Sequence, residues 1–121
     1  MGQKDAILRP FLKWAGGKRQ LLPELMKYKP SGFYRTRKTY YEPFVGAGAF
    51  LFELEPKKAV ISDLNKELIN CYKVVKNSVE ELIEQLTKHE IENNETYYYY
   101  LRYLDREAKD YSVLSAVEKA A

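Results

Sequence analysis

Cysteine, histidine and long apolar runs are scarce in this sequence of 121 residues. Cys71 is the single cysteine, which excludes an internal disulfide and fits a reducing cytoplasm. With His89 as the single histidine, the chain has too few of the usual ligands for a structural zinc site. No apolar run approaches the roughly 18 residues of a membrane span, and the first residues lack the apolar stretch of a signal peptide. We therefore expect a cytoplasmic protein with no metal and no membrane partner.

Glycine is also sparse, and four of the six glycines stand in two short motifs, Gly16-Gly17 and Gly46-Ala47-Gly48. The phosphate-binding loop of nucleotide hydrolases is excluded, because no glycine stands five residues before Gly17. The dinucleotide-binding fingerprint is only half met, because Leu51 occupies the position of its third glycine. The glycine pattern therefore excludes one common nucleotide-binding class and weakens another.

Charge is distributed unevenly along the chain. Residues 1–38 contain ten Lys or Arg and two acids, a net charge of +8, whereas residues 39–121 contain ten and fifteen, a net charge of −5. A basic N-terminal segment indicates a polyanionic partner such as nucleic acid, but a solvated surface explains the same charges. The candidates for contact with phosphates are Lys13, Arg19, Arg35, Arg37 and Lys38.

Hydrophobic periodicity and turn residues predict alternating helices and strands. Strands are predicted over residues 39–44 and 59–62, where aromatic and β-branched residues cluster. Helices are predicted over residues 17–28, 49–54, 64–77 and 79–90, and from Glu95 to the end of the chain. The apolar face predicted for helix 64–77 consists of Leu64, Leu68, Cys71, Tyr72 and Val75. Ser78 and Glu81 predict a capping box for the helix that follows.

The order strand, glycine turn, helix, strand, helix is typical of the start of a parallel α/β sheet. A doubly wound sheet has about five or more strands, and only two are predicted here. The last four residues carry no helix-stop signal such as Gly or Pro. We therefore expect the sequence to be a piece that ends inside a helix.

The sharpest local signal is the segment Glu42-Pro43-Phe44-Val45-Gly46-Ala47-Gly48-Ala49-Phe50. A strand that leads into two glycines and then a helix brings backbone close to a ligand at the carboxyl edge of a sheet. The N–H groups at the start of the helix suit an anionic group such as a carboxylate. A turn with only a structural role remains the alternative.

Asp63 and Trp14 are two further candidates for ligand contact. Asp63 follows the second predicted strand, 17 residues after Gly46, close to the spacing at which an acid receives ribose hydroxyls. Its alternative role is to cap the next helix, for which Asn65 competes. Trp14 precedes Gly16-Gly17-Lys18, so its ring is a candidate to cover a purine or a sulfonium, and Lys18 to pair with a carboxylate. The alternative for Trp14 is simple packing in the core.

Taken together, three segments resemble the first three motifs of Dam-type DNA adenine-N6 methyltransferases, in family order. They are Phe-Leu-Lys-Trp-Ala-Gly-Gly-Lys (residues 11–18), Glu-Pro-Phe-Val-Gly-Ala-Gly-Ala (42–49) and Ile-Ser-Asp-Leu-Asn (61–65). The resemblance implies an incomplete Rossmann-like α/β fold that binds S-adenosylmethionine. It implies that Trp14 and Lys18 line the cofactor site and that Asp63 holds the ribose. The residues implied to form the loop under the methionine part are Phe44, Gly46 and Gly48.

The later part of the chain resembles the start of the family's helical DNA-recognition insert. The expected domains are thus a cofactor-binding half, residues 1–77, and the start of the insert, residues 78–121. The resemblance implies double-stranded DNA as partner and makes a cognate restriction endonuclease a further candidate partner. The intact enzyme is expected to be a monomer. Four residues are predicted to fill a small helical core, namely Tyr97, Tyr100, Leu101 and Leu104.

One departure from the family pattern concerns catalysis. Family members carry an Asp-Pro-Pro-Tyr motif that holds the flipped adenine. The five prolines of this sequence, at positions 10, 23, 30, 43 and 56, are nowhere adjacent. We therefore assign no catalytic residue and expect residues 1–121 alone to be inactive.

The predicted function of the intact protein is site-specific transfer of a methyl group from S-adenosylmethionine to adenine N6 in duplex DNA. A fragment of a dinucleotide-dependent oxidoreductase is one alternative, which the missing third glycine weakens. A non-catalytic nucleic-acid-binding module is the other, which the basic first 38 residues favour.

Overall fold

A computed structural model describes residues 8–33, 38–106 and 111–121. The chain divides into two compact units, residues 1–64 and residues 65–121. The domain boundary expected after residue 77 was based on function, namely cofactor binding before it and DNA recognition after it. It differs in kind from this division by contacts, and it stays a prediction.

The first unit begins with a short helical segment. It consists of a 3-10 turn at Arg19–Leu21, helix α1 at Leu22–Leu25 and a second 3-10 turn at Met26–Tyr28. The predicted helix over residues 17–28 is therefore confirmed only from Arg19, and it is irregular. Pro23 lies in the first turn of α1, as predicted, and it has no N–H to continue a regular hydrogen-bond ladder from the turn before it.

Two parallel strands and the helix between them form the rest of the first unit. Strand β1 is Tyr40–Glu42, helix α2 is Ala49–Leu54, and strand β2 is Ala59–Ile61. Tyr40 pairs with Ala59 and Glu42 with Ile61 in a parallel register. The predicted strand–turn–helix–strand order and the α/β class are thus confirmed. Both strands are shorter than predicted, because Pro43 and Ser62 already belong to the connections that follow them.

The core of the first unit lies where the glycine loop meets α2. Val45 is 4% exposed and Leu54 is 2% exposed, and Ala49 is buried beside them. Phe11 packs edge-on against Phe52 at a centroid distance of 6.1 Å, which fixes the N-terminal segment to α2. Burying these apolar side chains holds the loop between two regular elements.

The second unit is entirely helical in the part that the structure describes. Helices α3, α4 and α5 span Lys66–Asn77, Val79–Ile91 and Glu95–Tyr103, and a 3-10 turn follows at Leu104–Arg106. The last helix, α6, spans Ala116–Ala120 and packs against α3 and α4. The buried core residues are Leu68, Val74 and Leu82.

Three predictions about this unit are wrong. Leu64 does not join the apolar face of α3, because the helix begins after Asn65 and leaves Leu64 92% exposed. The Ser78 side chain makes no capping bond to α4, and the Ser78 N–H that Glu81 would bond in a capping box already donates to Val74 O at the end of α3. The helical run from Glu95 is interrupted at residues 113–115, where Ser115 and Glu118 form a capping box that starts α6.

The predicted core of tyrosines and leucines in this unit is also wrong in part. Tyr100 is 59% exposed, and none of Tyr97, Leu101 and Leu104 is fully buried. Instead all four line an open groove of about 500 Å³ within the second unit. Tyr97 hydroxyl bonds His89 Nδ1 at 2.8 Å, so a polar contact replaces part of the expected apolar packing.

Two properties concern the described ranges as a whole. None of their helices is long and apolar enough to cross a membrane. Within the same ranges, no three His, Cys, Asp or Glu side chains are grouped to hold a metal ion.

Candidate functional site

A cavity of about 170 Å³ opens in the first unit at the carboxyl end of β1. Two stretches that are distant in sequence form it, the five residues from Trp14 to Lys18 and the segment from Glu42 to Ala49. The predicted site residues that line it are Trp14, Lys18, Phe44 and Gly46. The fold therefore brings together two of the three segments that the sequence singled out.

The glycine loop between β1 and α2 depends on backbone conformations that favour glycine. Gly46 has a φ of 53° and Gly48 a φ of 77°, both in the left-handed region. A Cβ placed on Gly46 would stand 3.7 Å from Cδ1 of Trp14, so the Trp14 ring lies directly against this backbone. Gly48 is buried, caps the start of α2 and donates its N–H to Val45 O at 2.8 Å, so it shapes the loop without lining the cavity.

The N-terminal segment supplies the aromatic ring and the cation of the cavity. Trp14 is 41% exposed, which contradicts the alternative of a Trp buried in the core. Lys18 Nζ donates to the carbonyl oxygen of Phe44 at 3.5 Å. This bond joins residues 26 positions apart, and Lys18 contributes a positive charge to the lining of the cavity.

Asp63 lies just after β2 and is hydrogen-bonded to the glycine loop. Its Oδ2 accepts a hydrogen bond from the Gly46 N–H at 3.1 Å. Asn65 caps α3 instead, since its Oδ1 accepts from the N–H groups of Glu67 and Leu68. The alternative role of Asp63 as a helix cap is therefore wrong. Asp63 does not line the cavity itself, but it is half-buried and adjoins it through Gly46.

Glu42 is a cavity residue to which the sequence reasoning gave no role. It ends β1, lines the cavity and is only 7% exposed. Its Oε2 accepts a hydrogen bond from the Tyr40 hydroxyl at 3.0 Å. Burial raises the pKa of the Glu42 carboxyl, while the bonds from Tyr40 and the Leu51 backbone and the charge of Lys18 act in the opposite direction. A signal was present, because Glu42 is the acid immediately before the glycine loop.

Contact of the five basic residues with phosphates stays a prediction, and the structure describes three of them. Lys13, Arg19 and Lys38 are exposed, as a role at a polyanion surface requires. Arg35 and Arg37 lie outside the described residues.

Comparison with known proteins shows which family and which relatives this chain is similar to. Residues 14–120 match the family described as D12 class N6 adenine-specific DNA methyltransferase. The chain is 51% identical over 120 residues to the type II methyltransferase M1.LlaDCHI of Lactococcus lactis subsp. cremoris, covering 98% of this chain and 40% of that protein. The type II methyltransferase M.MjaIII of Methanocaldococcus jannaschii is 52% identical over 85 residues, which cover 66% of this chain and 29% of that protein.

A third relative is a DNA adenine methylase of Haemophilus influenzae. It is 42% identical over 76 residues, covering 63% of this chain and 25% of that protein. The chain thus spans at most 40% of the length of these three relatives. The matches favour the methyltransferase interpretation over both alternatives, the dinucleotide-dependent oxidoreductase and the non-catalytic nucleic-acid-binding module.

Proposed function

The chain belongs to the D12 class N6 adenine-specific DNA methyltransferase family, and from that premise we propose that the complete protein methylates adenine N6 in duplex DNA. The proposed methyl donor is S-adenosylmethionine. The proposed site for the methionine part of this cofactor is the cavity between Trp14–Lys18 and Glu42–Ala49. In this proposal the parallel strands of the first unit are the start of a Rossmann-like sheet.

The observation that carries the proposal is the junction of the three sequence motifs. Trp14 and Lys18 line the same cavity as Phe44 and Gly46, and the Gly46 N–H is bonded to Asp63. A volume of about 170 Å³ is smaller than the roughly 300 Å³ at which sites for whole drug-sized ligands begin. The cavity therefore suits one end of the cofactor, and the remainder would extend along the loop towards Asp63.

Each side chain has a defined role in this proposal. The Trp14 ring covers one wall, and Lys18 supplies a cation for the carboxylate of the methionine part. Asp63 accepts ribose hydroxyls, for which a carboxylate has about four acceptor positions in addition to its role toward Gly46. The cofactor supplies an electrophilic methyl group on a sulfonium. The residues of this chain bind and orient it, and none of them is assigned a bond-breaking role.

Duplex DNA is the proposed substrate, and the second unit contains the proposed start of the DNA-recognition insert, from residue 78 onward. The exposed Lys13, Arg19 and Lys38 are proposed to meet backbone phosphates, where cations contribute most of the sequence-independent affinity. A monomeric enzyme and a cognate restriction endonuclease as partner complete the proposal. Size-exclusion chromatography with light scattering tests the first of these two points.

The decisive experiment uses the complete protein and a radiolabelled methyl donor. We expect tritium from S-adenosyl-[methyl-³H]methionine to enter duplex DNA and to be recovered as N6-methyladenine after enzymatic digestion. DNA in which every adenine is already N6-methylated is the matched control and should accept no label. Label recovered in cytosine would contradict the proposed substrate atom. Failure to bind S-adenosylmethionine in calorimetry would contradict the proposed site.

A further inference from the structure

The hydrogen-bond register between β1 and β2 is regular as far as Glu42 and then shifts by one residue. Glu42 O accepts from the Ser62 N–H at 3.0 Å. Because the bonds of a parallel ladder are evenly spaced at every second residue, the next donor to Ser62 O would be the Phe44 N–H. The donor is instead the Val45 N–H, at 3.0 Å. The connection after β1 therefore contains one extra residue, which is the defining feature of a β-bulge.

The extra residue exchanges the positions of two side chains. Successive side chains of a strand point to opposite faces, so a regular continuation from the buried Glu42 would bury Phe44 and expose Val45. The structure shows the reverse, because Val45 is 4% exposed in the core and Phe44 is 68% exposed and lines the cavity. The shifted register is therefore what brings Phe44 to the cavity.

Two side chains bond the carbonyl groups of the bulge. Ser62 Oγ donates to Pro43 O at 3.2 Å, and Lys18 Nζ donates to Phe44 O at 3.5 Å. Lys18 is itself a wall residue of the cavity, whereas Ser62 contacts the bulge from the end of β2 and does not line the cavity. The Ser62 hydroxyl thus acts on the wall of the site without facing a ligand in it.

We propose that Ser62 is a positioning residue of the cofactor site, whose hydroxyl holds the bulge at Pro43 and Phe44 and so keeps Phe44 at the cavity. The inference rests on the proposed function and deepens it, because it adds a residue outside the cavity that controls cofactor affinity through Phe44. The bond from Ser62 to Pro43 is exposed, so its loss should change the site more than the stability of the fold.

The matched variants Ser62→Thr and Ser62→Val test the hydroxyl, because their side chains have nearly the same shape and only threonine can donate. Isothermal titration calorimetry of the complete protein with S-adenosylhomocysteine measures the affinity. We expect Ser62→Val to weaken binding about 2–12-fold, the contribution of one neutral hydrogen bond, and Ser62→Thr to bind like the wild type. In the control Thr87→Val, an exposed bond from Thr87 Oγ1 to Ile83 O is lost from α4, and the affinity should not change.

A double-mutant cycle with Phe44→Leu distinguishes positioning from a merely structural role. If Ser62 acts through Phe44, Ser62→Val should cause no further loss of affinity once residue 44 is leucine. Equal losses in both backgrounds would overturn the proposal. So would wild-type affinity in Ser62→Val, or a loss in Ser62→Thr as large as in Ser62→Val.

Failure of the proposed function gives a different result. A wild-type protein that does not bind S-adenosylhomocysteine would contradict the proposed cofactor site itself. Normal wild-type binding together with any of the three contrary results for the variants contradicts only the role of Ser62.

Discussion

Hydrogen bonding differs between the residues up to Leu64 and those from Asn65 onward. In the first unit, the bonds around the site join irregular backbone, such as Val45 N–H to Ser62 O at 3.0 Å and Gly46 N–H to Asp63 at 3.1 Å. In the second unit, side chains cap regular helices, as Asn65 does for α3 and Ser115 for α6. Backbone that is left out of helices and strands is free to surround a ligand, which is why the candidate site lies in the less regular unit.

The two units also differ in charge. Residues 1–64 contain twelve Lys or Arg and six acids, whereas residues 65–121 contain eight and eleven. The positive excess therefore coincides with the unit that holds the candidate site, not with the helical unit. For a protein proposed to act on DNA, we therefore expect more of the phosphate contacts to come from the first unit than from the helical unit.

The largest effect that we expect distinguishes two leucines on either side of the boundary between the units. Leu68 is 1% exposed in the core of the second unit, whereas Leu64 is 92% exposed. Leu68→Ala should lower the free energy of unfolding by about 2–5 kcal/mol, because it removes buried methyl groups and leaves a cavity. Leu64→Ala should change it by less than about 0.5 kcal/mol. Urea denaturation of both variants checks this, and equal losses would contradict the assigned core.

The next prediction separates binding from stability at two neighbouring polar residues. Asp63→Ala should weaken S-adenosylmethionine binding by about 1.5–3 kcal/mol, because the ribose bonds are lost. Asn65→Ala should leave that affinity unchanged and lower the free energy of unfolding by about 0.5–2 kcal/mol through loss of the α3 cap. Calorimetry and thermal denaturation measure the two quantities. Unchanged affinity in a folded Asp63→Ala protein would refute the ribose role.

A third prediction concerns the stability cost of the charge at Glu42. Burial raises the pKa of this carboxyl, so the folded state holds its proton more tightly than the unfolded state, whose carboxyl has an ordinary value near 4.3. The stability of the wild type should therefore fall, relative to Glu42→Gln, as pH rises from about 4 towards neutral. Denaturant titrations of ligand-free protein across this range test the sign. A wild type that gains stability over Glu42→Gln with rising pH would show that the charge is stabilised rather than strained.

The smallest effect that we expect concerns exposed cations in the two units. If Lys13 and Arg19 each meet a phosphate, the double variant Lys13→Gln/Arg19→Gln should reduce the slope of log affinity against log salt by about 1.8. The matched control, Lys73→Gln/Lys76→Gln, removes the same charge from exposed positions of α3 and should leave the slope nearly unchanged. Fluorescence anisotropy with a labelled duplex at several salt concentrations measures both. Identical slopes in all three proteins would make the basic N-terminal segment a solvated surface.

Sequence reasoning succeeded where the cause is local. The strand–glycine–helix order around Gly46 was predictable, because β-branched residues, proline and glycine constrain the backbone within a few positions. The limits of helices α2 and α4 were placed within one residue for the same reason. The predicted capping box at Ser78 is absent. Ser78 lies between the end of α3 and the start of α4, and the sequence pattern considered only α4.

The candidate site was predictable in its composition but not in its arrangement. Trp14, Lys18, Phe44 and Gly46 were identified from motifs, and the fold brings them to one cavity. Glu42 was not identified, because its position before the glycine loop indicates that it is near the site but not that its side chain is buried. Its 7% exposure becomes visible only in the folded chain, where the Tyr40 hydroxyl and the backbone of Leu51 in α2 both bond its carboxyl group.

The sequence by itself determined the α/β order, the glycine loop and the family to which the chain belongs. These features depend on residue types at fixed short spacings, which act before distant parts of the chain meet. Only the tertiary structure decided that Gly46 bonds Asp63, that Glu42 is buried and that Tyr100 lines a groove instead of filling a core. Those outcomes depend on packing between residues distant in sequence, since burial belongs to the assembled surface and not to any single segment.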